Sequence, residues 1–351
     1  MVLTTSESGN ACPHAEKNEL VASPASCRDI LRATRHETGG CIGKRFAFHH
    51  QRGMSLLSSK CSIWLTLLGV FGTLSAYGAE PSKSIRITTW NLQWFPNGSQ
   101  VEASASEQAQ RISQAGNILR SINPDIILLQ EVRDYDICDR LGQAIQADTY
   151  HVAICSAFKE PFQPGIGKQQ VAIIAKYPAQ AAWTEEWKSR DGIDPPRGFA
   201  FAWFKVGKAD LGVYSLHLKS NLIARGVRDI EITKNIHKRE VAIEQLLTHV
   251  REVIGLRIPS IKSIIIGGDY NTNQDQEMFA KENTLGLMEN AGYRCGFELL
   301  PLTDRITHPR NHGYPDATFD YIFSNSGHAK PMTTQSSVSD HFAVTVDFVL
   351  P

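Results

Sequence analysis

Several short apolar runs in this 351-residue chain end in, or begin from, residues that can bind cations or move protons. Asn91, Glu131, His217, Asp269 and Asn271 each close such a run, while Asp320 and the pair Asp340-His341 stand just before later ones. Carboxylates and carboxamides are oxygen ligands for hard divalent cations. Imidazoles exchange protons near neutral pH. Taken singly, each residue has an ordinary structural reading. Glu131 can be a capping group, His217 a buried strand histidine, Asp269 and Asn271 turn formers, and Asp340 part of a loop. Their common placement at strand ends is what gives them weight together.

The elements that must position these residues can be read from hydrophobic spacing. Ile85 to Asn91 predicts a strand, and Ile112, Ala115, Leu119 and Ile122 have the spacing of a helix broken by Pro124-Asp125. Ile126 to Gln130 and Ile264 to Gly268 are continuously apolar, as strands covered on both faces are. Further strands are expected at 150–155, 170–176, 199–206, 210–218, 319–324, 330–337 and 342–349. Ile243, Leu246, Leu247, Val250, Val253 and Ile254 mark one face of a long helix, and 284–290 a short one. Strands and helices in this mixture imply two sheets packed face to face with helices outside, in one domain without repeats.

Apolar residues make up 42% of the chain and charged residues 21%, which excludes the disordered class. Formal charge balances at 36 basic and 36 acidic side chains, so no overall field favours nucleic acid or membrane. Residues 1–79 hold more basic than acidic groups, leaving the remainder slightly acidic. Within that first part, Cys61 to Ala79 carries no charge, and its apolar centre from Ile63 to Leu74 is short for a membrane span of about 20 residues. It has the length of a signal-peptide core and ends in the small residues Ala76, Gly78 and Ala79. The expectation is export to the periplasm or medium, with residues 54–79 a signal peptide starting at Met54 and cleaved after Gly78 or Ala79. Residues 1–53 would be a leader, or untranslated, and 80–351 the mature domain. Cys138, Cys155 and Cys295 would survive cleavage; Cys138 and Cys155 could pair in an oxidising compartment, or all three could be small core residues.

In order along the chain, Trp90-Asn91, Gln130-Glu131, His217, Gly268-Asp269-Tyr270-Asn271, Asp320-Tyr321 and Ser339-Asp340-His341 resemble the signature segments of the endonuclease/exonuclease/phosphatase superfamily, of the deoxyribonuclease I-like kind. The resemblance spans roughly residues 85 to 350. It implies a four-layer α/β sandwich of two mixed sheets with helices outside. It also implies a divalent-metal-dependent hydrolase of phosphate esters, with Mg²⁺ the expected ion and Mn²⁺ or Ca²⁺ as alternatives. By the same resemblance, Glu131 is a metal ligand, completed by Asn91 and Asp340. Asp269 positions or deprotonates the attacking water, and Asn271 donates to a phosphate oxygen. His341, oriented by Asp320, and His217 flank the scissile phosphate. Which histidine is the acid stays open. Arg197 and Lys219 are weaker candidates for phosphate contact, as is Lys168.

The substrate is less defined than the reaction. Residues 219–239 hold Lys219, Arg225, Arg228, Lys234, Lys238 and Arg239 against Asp229 and Glu231, a basic stretch that could follow a nucleic-acid backbone. The expectation is therefore an exported endonuclease acting on DNA or RNA. A phospholipase C or sphingomyelinase-like phosphodiesterase, or an inositol-phosphate phosphatase, is the alternative. A non-catalytic binding protein on the same fold is a further one, disfavoured by the presence of Glu131, Asp269 and His341. No protein partner is expected.

Overall fold

The computed structural model describes residues 84–350, apart from 160–163, 224–225, 311–313 and 327–329. The leader, the signal segment and Arg225 lie outside these described residues. Among the described residues, eleven strands form two sheets. The first contains β1 (Ser84–Phe95), β2 (Ile126–Val132), β3 (His151–Cys155), β4 (Gln170–Ala175), β10 (Met332–Thr334) and β11 (Ala343–Val349), in the order β10-β11-β1-β2-β4-β3. The second contains β5 (Ala179–Glu186), β6 (Gly198–Val206), β7 (Ala209–His217), β8 (Ser263–Asp269) and β9 (Asp320–Ser324), in chain order. Both sheets are mixed, because β1 pairs parallel with β2 and β7 parallel with β8 while their other pairings are antiparallel.

The continuous apolar run of β2 now has its cause. Ile126 and Leu128 face the other sheet, packed with Phe201, Val213 and Ile265. Ile127 and Leu129 face outward into a second cluster with Ile112, Leu119, Ile137 and Leu141. Those outer residues belong to the helices α1 (Ala105–Ile122) and α2 (Tyr135–Ile145). On the far side, α3 (Arg228–His249) buries Ala242, Ile243 and Leu246 against the second sheet. The result is helix, sheet, sheet, helix, as expected. Each fully buried aliphatic side chain contributes about 1.5–3 kcal/mol, so both outer layers are held by apolar burial.

Local signals set the boundaries. Ser104 and Glu107 form a reciprocal capping box at the start of α1, and Asn123 ends it in the left-handed region before Pro124. Helix α2 and strand β5 are additional to the expected elements. In α2 the buried Ile137, Cys138, Leu141 and Ile145 do have helical spacing, interleaved with charges and Gly142. β5 is an alanine-rich edge strand with little β-propensity of its own. Helix α3 starts at Arg228 and ends before the π-helical turn Val250–Ile254, so half of the stretch expected as a basic loop is helix. A short helix α4 (Thr284–Asn290) falls where expected. Cys138 and Cys155 are free thiols with their sulfurs 4.0 Å apart, and Cys295 is buried separately.

Candidate active site

Strand register places the candidate residues in one row. His217 pairs with Asp269 across the parallel β7–β8 ladder, and Asp269 pairs with Asp320 across β8–β9. Asn91 pairs with Gln130 across β1–β2 in the facing sheet. Gln130 itself turns between the sheets, bonding Thr89, Ser215 and the Leu128 carbonyl, so it fastens the two halves of the site together.

Glu131 is presented by an irregularity. Gln130 and Val132 pair with consecutive residues of β4, Val171 and Gln170, leaving Glu131 as an extra, unpaired residue. Its φ is +58°. This bulge re-aims the side chain out of the strand's alternation. Its Oε2 accepts the Trp94 amide at 2.9 Å, and its Oε1 accepts Asn91 Nδ2 at 3.3 Å. Asn91 Nδ2 also donates to Asp269 Oδ2 at 2.9 Å, which ties the two carboxylates into one group.

Asp320 is fully buried and accepts His341 Nδ1 at 2.7 Å. The loop carrying His341 is anchored on β1: Ser339 Oγ donates to the Asn91 carbonyl, and the Trp90 indole donates to the His341 carbonyl. His341 Nε2 then points toward Asp269 Oδ2, 3.9 Å away. Burial works against a charge on this imidazole, but Asp320 and Asp269 outweigh it and raise its pKa to about 10. Burial, reinforced by Asp320, pushes the Asp269 carboxyl up to about 7, against the opposing pull of His341 and Asn91. His217 differs. Burial, then Arg197, His341 and Lys219, hold it well below the usual histidine range, although Asp269 and Glu131 lie 3.5 and 3.8 Å from its Nε2. The two histidines are therefore driven in opposite directions, His341 toward the imidazolium and His217 toward the neutral ring.

Among the described residues, Glu131, Asp269, Asp320 and Asp340 bring four carboxylates to this region, beside the imidazole of His341. Arg111 acts on Asp340 from the side but directs its own bonds to the Leu92 and Gln93 carbonyls. The rise in the Asp269 pKa comes first from burial, and the negative charge of Asp320 adds to it. Glu131 and Asp340 carry carboxylate oxygens of the kind a hard divalent cation takes, and a cation here would relieve that charge. Asn91 turns its N–H₂ to the carboxylates and its Oδ1 to the Gln93 amide, so its oxygen would reach an ion only with the amide turned over.

The weaker candidates fare differently. Arg197, at φ +68°, donates to the carbonyls of His217 and Leu218 and to Gln169, so it braces the end of β7 rather than projecting to a ligand. Lys219 folds onto Ser220 and the Leu222 carbonyl, its pKa lowered to about 8 by burial and then by neighbouring cations. Lys168 pairs with Glu102 on the surface. Asn271 directs its carboxamide to the Leu218 carbonyl and its backbone N–H to Asp269. The basic stretch 219–239 is also thinner than its composition implies. Arg239 is buried in a pair with Glu282, and Lys234 pairs with Glu231. Leu222, Val227 and Ile230 are exposed in the same segment. A residue outside the sequence expectation also joins the site: His308, whose ring stands edge-on to His341 at 4.8 Å. Thr307-His308-Pro309 carries no spacing that would have singled it out.

The profile of the Endonuclease/Exonuclease/phosphatase family matches residues 88–341. A phospholipase C of Staphylococcus aureus is 24% identical over 255 residues, 68% of this chain and 71% of that protein. A sphingomyelinase C of Listeria ivanovii is 23% identical over 291 residues, 78% of this chain and 82% of that protein. Among solved structures, a protein of the same family from Leptotrichia buccalis C-1013-b superposes with a TM-score of 0.53 at 19% identity, over 76% of this chain and 100% of its own. TDP2 of C. elegans gives 0.53 at 16% identity, over 77% and 76%.

Proposed function

The chain belongs to the endonuclease/exonuclease/phosphatase family and is a phosphoester hydrolase, and on that premise we propose that it cleaves phosphodiesters by metal-assisted attack of water. The observation that carries this reading is the in-register row His217, Asp269, Asp320 with His341 clasped to Asp320. A divalent cation held by Glu131, Asn91 and Asp340 would supply positive charge to a nonbridging phosphate oxygen. Asp269, with a pKa near 7, is poised to take a proton from water as the new P–O bond forms. His341 carries the proton that the leaving oxygen needs as its own P–O bond breaks, with Asp320 stabilising the imidazolium. Neutral His217 serves as a hydrogen-bond donor to the phosphate rather than as the acid. The 3.9 Å between Asp269 and His341 provides a route for the proton to return and reset the pair.

Nucleic acid is the first substrate reading, supported by Arg228 at the start of α3 and by Lys238 midway along it, whose charge acts on Lys219 just after His217. A phospholipid headgroup is the second. The exposed Leu222, Val227 and Ile230 in that segment favour it, as do the two curated relatives. The test is hydrolysis of plasmid DNA, RNA and sphingomyelin vesicles with Mg²⁺, Mn²⁺ or Ca²⁺. Cleavage of DNA or RNA supports the first reading, turnover of lipid alone transfers the assignment to the second, and no turnover of any phosphodiester overturns both. Export is proposed on the uncharged stretch Cys61 to Ala79, and the N-terminal mass of the mature protein tests it: a chain starting at Met1 in the exported fraction refutes cleavage.

A further inference from the structure

His308, Asp340 and His341 form a cluster that the mechanism above does not need in full. Their ligand atoms all lie within 4.8 Å of one another. His308 Nε2 and Asp340 Oδ2 are 3.9 Å apart, too far for a hydrogen bond. Two ligands each about 2.1 Å from a Zn²⁺ ion stand roughly 3.4 Å apart in tetrahedral geometry and no more than about 4.2 Å in any geometry. The cluster is therefore within a small side-chain rotation of enclosing an ion.

Its framework is fixed. His308 exchanges backbone hydrogen bonds with Ala317 at 2.9 and 2.8 Å, Thr307 Oγ1 accepts the Asp320 amide, and the Thr307 carbonyl accepts the Phe342 amide. The His308 segment is thus tied both to the start of β9 and to the loop bearing His341. Asp320 holds His341 Nδ1, which leaves Nε2 as the free ligand atom in a carboxylate–histidine arrangement of the kind that orients metal-bound imidazoles. His308 Nδ1 is buried with no partner beyond its own backbone, and Nε2, the nitrogen facing Asp340, is left to present its lone pair.

We propose that these three residues are a second cation site, selective for borderline first-row metals such as Zn²⁺, and that filling it inhibits the hydrolase. Two imidazoles and one carboxylate suit Zn²⁺, whereas Mg²⁺ prefers an all-oxygen set such as that around Glu131. Asp340 would bridge the two sites, with Oδ2, which faces His308, to one ion and Oδ1 to the other. Ligation through His341 Nε2 occupies the ring nitrogen that would otherwise face the leaving oxygen. The binding stands on the geometry alone; only the inhibitory consequence rests on the phosphodiesterase reading.

The experiment is calorimetric titration of the full chain with Zn²⁺ in saturating Mg²⁺, alongside His308→Ala and the volume-conserving His308→Gln, each verified as folded by circular dichroism. The expected result is one Zn²⁺ bound per chain without Mg²⁺ release, with affinity lowered at least about tenfold in both variants. Zn²⁺ should inhibit the wild type and inhibit both variants less. Equal Zn²⁺ affinity in wild type and variants, no Zn²⁺ binding, or stoichiometric displacement of Mg²⁺ overturns the site. If Zn²⁺ binds through His308 while no phosphodiester is hydrolysed, the site stands and the functional reading falls.

Discussion

Replacing Asp320 with Asn is the most informative single change. The carboxylate is fully buried, and its Oδ2 accepts His341 Nδ1 at 2.7 Å. Asn keeps the shape but removes the charge that sustains the imidazolium against burial. An opposite charge at this range shifts a pKa by about 1–3 units, so the His341 value should fall from about 10 to between about 7 and 9. The amide can also present its N–H₂ to Nδ1, which forces the histidine into the wrong tautomer. Loss of a positioned acid lowers turnover by about 10²–10⁴-fold. The assay is the pH dependence of kcat with the best phosphodiester substrate, paired with an NMR titration of the His341 ring. The alkaline limb should move toward neutrality and kcat should fall with little change in KM. The raised His341 pKa contributes stability that is present below about 6.5 and lost as pH rises through about 10, so the variant's Tm should vary less over that window. An unmoved alkaline limb with kcat within about threefold of wild type would refute the assignment of His341 as the acid.

Other changes probe separate parts. Asp269→Asn should reduce kcat by at least about 10²-fold. Because burial raises the Asp269 pKa from 3.8 to about 7, its ionisation opposes folding as pH climbs through that interval, so the metal-free variant should melt higher than wild type at pH 8. A lower Tm there would contradict this. Glu131→Gln should weaken Mg²⁺ binding by at least about tenfold in calorimetry, and unchanged affinity would remove Glu131 from the ligand set. Arg239→Ala strands Glu282 in a buried position and should cost about 3–5 kcal/mol in urea unfolding, far from any effect on metal affinity.

The sequence made the chemistry of the second sheet more legible than that of the first. His217, Asp269 and Asp320 were visible because each abuts an apolar strand, and parallel and antiparallel ladders then bring those ends into register. The roles of Arg197, Asn271 and Lys219 were not visible, because which carbonyl a long or amide side chain meets is decided by loop paths with no local code. His308 was hidden for the same reason: it reaches His341 only through backbone bonds to Ala317 and through Phe342 bonding to Thr307. Composition misled over residues 219–239, where counting charges ignores that Arg239 is internal. Among elements, α2 carried a readable pattern, whereas β5, an edge strand rich in alanine, is defined by the partner it pairs with and not by its own residues.

The bulge at Glu131 sets stability and activity against each other at one position. A non-glycine residue held at positive φ carries strain on the order of 1 kcal/mol, and the ladder gains a regular pair if the extra residue is removed. Glycine substitution or deletion at this point should therefore yield a protein that withstands denaturant better and hydrolyses nothing. Library screens that sort variants only by thermal resistance or expression would enrich such sequences. Only a screen for turnover would keep the acidic residue, against the pull of its own backbone.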